Sequence, residues 1–202
     1  MMDAFRKGLL TKLGEAKLAK IEKVRIGIAG AGGLGSNCAA CLARVGFRNF
    51  TIADFDVVDA ANLDRQFYFE DQVGMKKVEA LKTNLLRINP GLALQMLPVK
   101  LAPESISEIF RDCEVVVECL DRAEAKQMLV SGLLPTGKLI VSASGLGGIG
   151  SSDEMKIRKL KPNLILIGDL SSDIENAPAL APRVSIAAAK QADVVLEFVA
   201  GR

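Results

Sequence analysis

Residues 27–46 read GIAGAGGLGSNCAACLARVG. An apolar run over Val24–Ala29 leads into Gly30-Ala-Gly32-Gly33-Leu-Gly35, and a helix of small residues is expected over Gly33–Val45. Strand, glycine turn and helix N-terminus together form an anion site, because free backbone N–H groups and the positive end of the helix dipole point at one spot. The next apolar run, Phe50–Ala53, ends at Asp54, where a carboxylate is placed to accept hydrogen bonds from ribose hydroxyls. The glycine spacing reports a backbone that approaches a phosphate closely, and it fits NAD and ATP equally well. A tight turn without a ligand is the plainer alternative.

The 202 residues suffice for one domain with a substantial core. Composition is 50% hydrophobic and 25% charged with a net charge of +2, a soluble balance that singles out neither nucleic acid nor a membrane as partner. The uncharged stretch Ile26–Ala43 reaches the length of a membrane span, but its Gly, Ser, Asn and Cys content, without aromatic anchors, predicts a buried strand–turn–helix. The N-terminus has no apolar secretory core, and Glu15 and Glu22 argue against a transit peptide. Cysteines at 38, 41, 113 and 119 do not look like a disulfide framework, so the expected location is the cytoplasm. The absence of histidine excludes His-based triads, His general bases and His-ligated metals. Cys38-x-x-Cys41 has no second pair to complete a tetrahedral site, so no zinc is expected and the cysteines read as buried packing residues.

Hydrophobic periodicity predicts an N-terminal amphipathic helical segment over 1–23, with Phe5, Leu9, Leu13, Ala16 and Ile21 on its apolar face and Gly8 and Gly14 weakening it. Residues 24–202 read as one domain. Further helices are expected over Gly74–Ile88, Pro103–Phe110, Arg122–Leu134 and Val184–Val199, with strands over Leu92–Leu97, Val115–Cys119 and Leu139–Ala143. Near-continuous apolar strands alternating with helices imply an α/β, doubly wound, mostly parallel sheet covered on both faces. After Ser144 the rhythm changes. A glycine-rich connection spans Gly145–Gly150, Met155–Leu160 and Leu164–Ile167 read as an antiparallel pair, and Ser171–Pro182 is a turn-rich loop before the last helix.

The stretch between Asp54 and the helix at 74 decides between the nucleotides. Asn62, Arg65, Gln66, Lys76 and Lys77 follow Asp54 closely, on a long loop, Asp56–Tyr68, and the start of the next helix. A dinucleotide needs no such cluster, since helix and glycines already neutralise its pyrophosphate; an attack on a triphosphate does, because the leaving pyrophosphate carries several charges.

The ordered set GAGGLGS, D-x-D-x-V at 54–58, N-L-x-R-Q at 62–66, G-x-x-K at 74–77 and the strand-end Asp121 resembles the ThiF/MoeB/HesA superfamily, relatives of the ubiquitin-activating E1 enzymes. The likeness runs from about Val24 to the end of the chain, and the portion after Ala143 is most similar to short ThiF-type proteins. The resemblance implies ATP- and Mg²⁺-dependent adenylylation of the C-terminal glycine of a small ubiquitin-like sulfur carrier ending in Gly-Gly, of the kind used in thiamine biosynthesis. Gly33 would then lie against the nucleotide with Gly30, Gly32 and Gly35 forming the turn. Asp54 would hold ribose, Asn62, Arg65 and Gln66 would line the phosphates, Lys77 would neutralise them and Asp121 would bind Mg²⁺. It also implies a homodimer in which an N-terminal Arg reaches the partner's site, with Arg6 as the candidate; Arg122 stands where the family usually has Asn. The loop at 170–182 has no Cys for a thioester. A terminal carboxylate, with pKa about 3.5, is ionised at neutral pH and needs no general base, which suits a chain without histidine. A molybdopterin or other ubiquitin-like carrier, a small NAD(P)-dependent dehydrogenase and a nucleotide-binding protein without turnover are the alternatives.

Overall fold

Three short strands form the centre of the molecule: β1 (Arg25–Ala29), β4 (Val115–Glu118) and β5 (Leu139–Ala143), almost wholly buried. Their side chains alternate between two separate cores, as the two-residue period of a strand requires. Ile26, Ile28, Val115, Val117, Leu139 and Val141 enter one core, while Ala29, Val116 and Ile140 enter the other. In the computed structural model, which describes residues 4–172 and 176–201, β2 (Asn49–Ala53), β3 (Ala93–Leu97), β6 (Lys156–Lys161) and β7 (Leu164–Gly168) complete one seven-stranded sheet of order β3-β2-β1-β4-β5-β7-β6. Every pairing is parallel except β6 with β7.

Helices α1 (Ala4–Lys23), α2 (Gly33–Arg44), α3 (Lys77–Ile88) and α6 (Ala181–Ala200) supply Ile21, Leu42, Leu81 and Val195 to the first core. Helices α4 (Pro103–Ile109) and α5 (Ala123–Leu133) supply Ile106, Leu129 and Leu133 to the second. α2 and α6 pack against each other through small residues, Cys38, Ala39, Ala187 and Ala188 among them, all fully buried. No helix among the described residues is long and apolar enough to cross a membrane; the uncharged stretch at 26–43 is β1, the glycine turn and α2.

The chain runs outward from β1 to β2 and β3 on one side, and to β4 and β5 on the other. The carboxyl ends of β1 and β4 therefore flank the point where the winding reverses, the crevice where open α/β sheets bind ligands.

Some boundaries differ from expectation. α3 starts at Lys77 rather than Gly74, because Gly74 has φ +88° and Lys76 pairs with Val57 in an isolated antiparallel bridge. α6 opens at Ala181, with Pro182 in its first turn where a proline lacks no needed donor. Gly14 (φ 74°, ψ 161°) breaks α1 into two pieces, and the residues it buries are Leu18 and Ile21. Residues 173–175 of the expected loop, and the ends 1–3 and 202 of the two expected segments, lie outside the described residues.

Candidate functional site

Gly30 follows β1 with φ +97°, and a β-carbon there would stand 2.7 Å from the Cys119 carbonyl oxygen. One at Gly35 would stand 1.8 Å from the Gly30 carbonyl oxygen, so the turn closes only with glycine at both places. Gly32 is the N-cap of α2 and brings no side-chain cap, which leaves the first-turn N–H groups for another acceptor.

Asp54 stands beside this turn. Its carboxylate accepts from the Ala31 N–H at 2.6 Å and the Asp56 N–H at 2.8 Å. Burial pushes the carboxyl up, and those two N–H groups and Lys77 pull against it. Lys77 Nζ donates to Asp56 Oδ2 at 3.0 Å, its side chain 8% exposed. Tyr68, the single tyrosine, is buried and donates to the Ala31 carbonyl at 2.6 Å, which ties the loop under the glycine turn.

The N-L-x-R-Q stretch forms a short 3-10 turn at Ala60–Asn62 and then folds back on α2. Asn62 Oδ1 accepts from the Asp59 N–H at 3.3 Å as half of a capping box. Arg65 donates to the Ala61 carbonyl at 3.1 Å and to Asp64 at 2.7 Å. Asn37 in α2 joins the two segments, donating to the carbonyls of Gly33 and Arg65 at 2.7 and 2.9 Å. Gln66 Oε1 is buried with no hydrogen-bond partner, while its Nε2 lies 3.9 Å from where a Gly32 β-carbon would be. An orphaned acceptor beside bare N–H groups is what a polar ligand carrying donors would satisfy.

Across the crevice, Asp121 is exposed just beyond β4. The N-cap of α5 is Arg122, and among the described residues the Asp121 carboxylate has no hydrogen-bond partner, so it does not serve as the helix cap. Arg6 lies elsewhere. It pairs with Glu15 and Glu22 at 2.9 Å each, near Arg48 at the amino end of β2, the opposite end of the sheet from the glycine turn. Cys38 and Cys119 are fully or nearly fully buried, and burial raises both thiols, so they pack as apolar groups. Among the described residues no three Cys, Asp or Glu groups gather into a metal site.

Reading the sequence missed a second wall. Arg183, at the start of α6, is buried, donates to the Gly150 carbonyl at 2.7 Å and forms an ion pair with Asp169. Burial pushes the Asp169 carboxyl up, but the N–H groups of Ser172 and Ser171 and the Arg183 guanidinium outweigh it and hold the carboxyl at about 2. This latch joins the 145–151 loop to the segment after β7, and a cleft of about 330 Å³ lies between them, lined by Gly147, Gly148, Ser151, Asp169 and Arg183. The start of α6 also packs against the glycine turn: a β-carbon at Gly33 would come within 2.9 Å of Val184, the residue after Arg183. Arg183 falls in the Ala181-Pro-Arg-Val stretch that resembles short ThiF-type proteins, but nothing local in the sequence announces its pairing with Asp169.

The fold recurs in solved structures. Escherichia coli tRNA N6-threonylcarbamoyladenosine dehydratase TcdA, in complex with AMP, superimposes with a TM-score of 0.88 at 20% identity, covering 99% of this chain and 97% of that one. E. coli MccB, solved with AMPCPP and MccA, gives 0.76 at 18% identity, over 100% of this chain and 64% of that one. In sequence, the chain is 35% identical to the adenylyltransferase and sulfurtransferase UBA4 of Candida glabrata over 144 residues, 71% of this chain and 33% of the relative. It is 31% identical to UBA4 of Saccharomyces cerevisiae over 150 residues, 74% and 34% respectively. The chain thus spans about a third of these relatives. Residues 6–200 match the ThiF family as a whole, from α1 through the glycine turn to α6, and the chain belongs to that family.

Proposed function

We propose that this protein transfers the adenylyl group of ATP to the C-terminal glycine carboxylate of a small ubiquitin-like sulfur carrier, of the ThiS type used in thiamine biosynthesis, releasing pyrophosphate. The observation that carries the reading is the glycine turn with Asp54 bonded to its Ala31 N–H, and Arg65 and Lys77 close by on the segment that follows. A nicotinamide dinucleotide, whose pyrophosphate the helix and glycines already neutralise, would call on neither cation beyond its ion pair with Asp64 or Asp56. The adenylyltransferase activity for which the UBA4 relatives are named supports the same reading.

In this reading Asp54 holds ribose, Gly30, Gly32, Gly33 and Gly35 admit the phosphates to the α2 N-terminus, and Asn62, Arg65, Gln66 and Lys77 line them. The carrier's carboxylate attacks the α-phosphorus, the bond to the β-phosphate oxygen breaks, and pyrophosphate leaves. The chain's work is to hold two anions together and to spread charge, tasks for cations and a helix N-terminus. The exposed, unpartnered Asp121 fits a hard divalent cation, and Mg²⁺ held there would neutralise the departing pyrophosphate. A homodimer would bring an N-terminal Arg from the partner subunit. The extended Gly-Gly tail would lie in the cleft.

The test has two arms. MgATP should raise the unfolding free energy by about 2.7 kcal/mol at a hundredfold excess over its Kd, and well beyond any effect of NAD⁺. Labelled pyrophosphate should exchange into ATP only when a Gly-Gly-ending carrier is present. A larger shift with NAD⁺, or exchange without any carrier, would refute the assignment.

A further inference from the structure

The parallel ladder between β4 and β5 stops at Val117 and Val141. Beyond that point the strand ends are joined by side chains from both faces of the sheet, the buried Gln191 and the half-buried Lys126. Gln191 from α6 donates to the Glu118 and Val141 carbonyls at 3.0 and 3.2 Å. Lys126 from α5 donates to the Ala143 carbonyl at 3.0 Å and to both oxygens of the Glu118 carboxylate at 3.1 and 3.0 Å. Glu118 is 0% exposed, and its carboxylate also accepts from the Leu120 N–H at 2.6 Å and from Ser142 Oγ at 2.5 Å.

A buried carboxylate so fully hydrogen-bonded and paired is tolerated, yet apolar groups of similar volume are often as stable or more so. Stability alone therefore does not call for a charge here. What the carboxylate adds is a fixed direction: its bond to the Leu120 N–H turns the chain out of β4, and the next residue is Asp121, exposed at the crevice.

We infer that Glu118, clamped by Lys126, is a positioning residue for Asp121: it holds the Cys119–Asp121 turn so that the Asp121 carboxylate meets the divalent cation of a bound nucleotide. The inference rests on the function proposed above. It is tested by Mn²⁺ binding to the protein–ATP complex, read from the free-Mn²⁺ electron paramagnetic resonance signal. Alongside it, the affinity for metal-free ATP is measured by calorimetry, for wild type, Asp121→Asn and Glu118→Gln. Both variants should bind Mn²⁺ about tenfold more weakly, with metal-free ATP affinity within about twofold of wild type. Wild-type Mn²⁺ affinity in Glu118→Gln, while Asp121→Asn is weakened, overturns the positioning role alone. Wild-type affinity in Asp121→Asn overturns the metal role itself. An equal loss of metal-free ATP affinity in Glu118→Gln marks a purely structural residue and also overturns the inference. Ser142→Ala, which removes one donor and no charge, carries the same comparison if Glu118→Gln fails to fold, with about a threefold weakening expected.

Discussion

Both oxygens of Asp54 are already engaged by the N–H groups of Ala31 and Asp56 before any ligand arrives, so its direction is set by backbone rather than by a rotamer choice. An ionised carboxylate has about four acceptor sites, which leaves room for ribose hydroxyls. Burial raises this carboxyl above the ordinary aspartate value, so it takes up its proton at a higher pH than an exposed aspartate does. Replacing Asp54 with Ala should weaken MgATP binding about 10- to 100-fold at neutral pH, the range for hydrogen bonds to a charged group. The gap between the two proteins should close as pH falls through the raised value, because wild type then loses its charge as well. Calorimetric titrations of both proteins at a descending series of pH values measure this, and a gap that does not narrow once wild-type Asp54 has taken up its proton would show that the charge is not what binds. Asp54 and the glycine turn were legible because each is a local pattern. The Glu118–Lys126–Ser142 clamp, Gln191 and the Arg183–Asp169 latch were not, since their partners are distant in sequence and meet only when the sheet is assembled. Lys77 shows the limit from the other side: proximity in sequence suggested a phosphate contact, and the structure adds a mostly buried ion pair with Asp56.

At the scale of elements, the alternation of apolar strands and helices was enough to predict a parallel sheet covered on both faces, because β1, β4 and β5 carry apolar side chains on both of theirs. Ends were harder to read, since a glycine at positive φ or a proline in a first turn decides them and neither conformation is written in composition. The β6–β7 hairpin was legible from its turn, but not that β7 would lie parallel to β5 and carry Asp169 to the start of α6. That placement has a measurable consequence. Asp169 is held at about 2, below the ordinary carboxylate value of 3.8, so the stability it contributes is complete above about pH 4 and is lost as pH falls toward 2. Asp169→Asn should therefore unfold more easily at pH 7, by on the order of 3 kcal/mol for a buried pair losing one partner. It should also show a flatter loss of stability between pH 4 and pH 2 than wild type. Urea unfolding at a series of pH values checks both, and parallel acid limbs would mean that the latch is not what titrates.

Across the whole molecule, the crevice has an order that follows the sheet. Asp54 stands at β2, the glycine turn at β1, Asp121 at β4, and the cleft between the loops after β5 and β7. In the proposed reaction this sequence would place ribose, phosphates, metal and acceptor along one line, with the nucleophile arriving from the β5–β7 side. A carrier tail is flexible when free, so the cost of ordering it must be met by contacts made elsewhere, by the carrier's globular part. Docking and chemistry should then come apart under mutation. Removing the last glycine of a ThiS-type carrier should abolish labelled pyrophosphate exchange and change carrier affinity little, because the globular contacts remain. Arg65→Ala should also cut exchange more than tenfold, but through the phosphates, leaving docking of the intact carrier near wild type. Exchange assays run beside binding titrations of intact and truncated carrier separate the two. Were exchange to proceed equally well without the terminal glycine, the nucleophile would not be the carrier's carboxylate, and the cleft beside Arg183 would have to serve another acceptor.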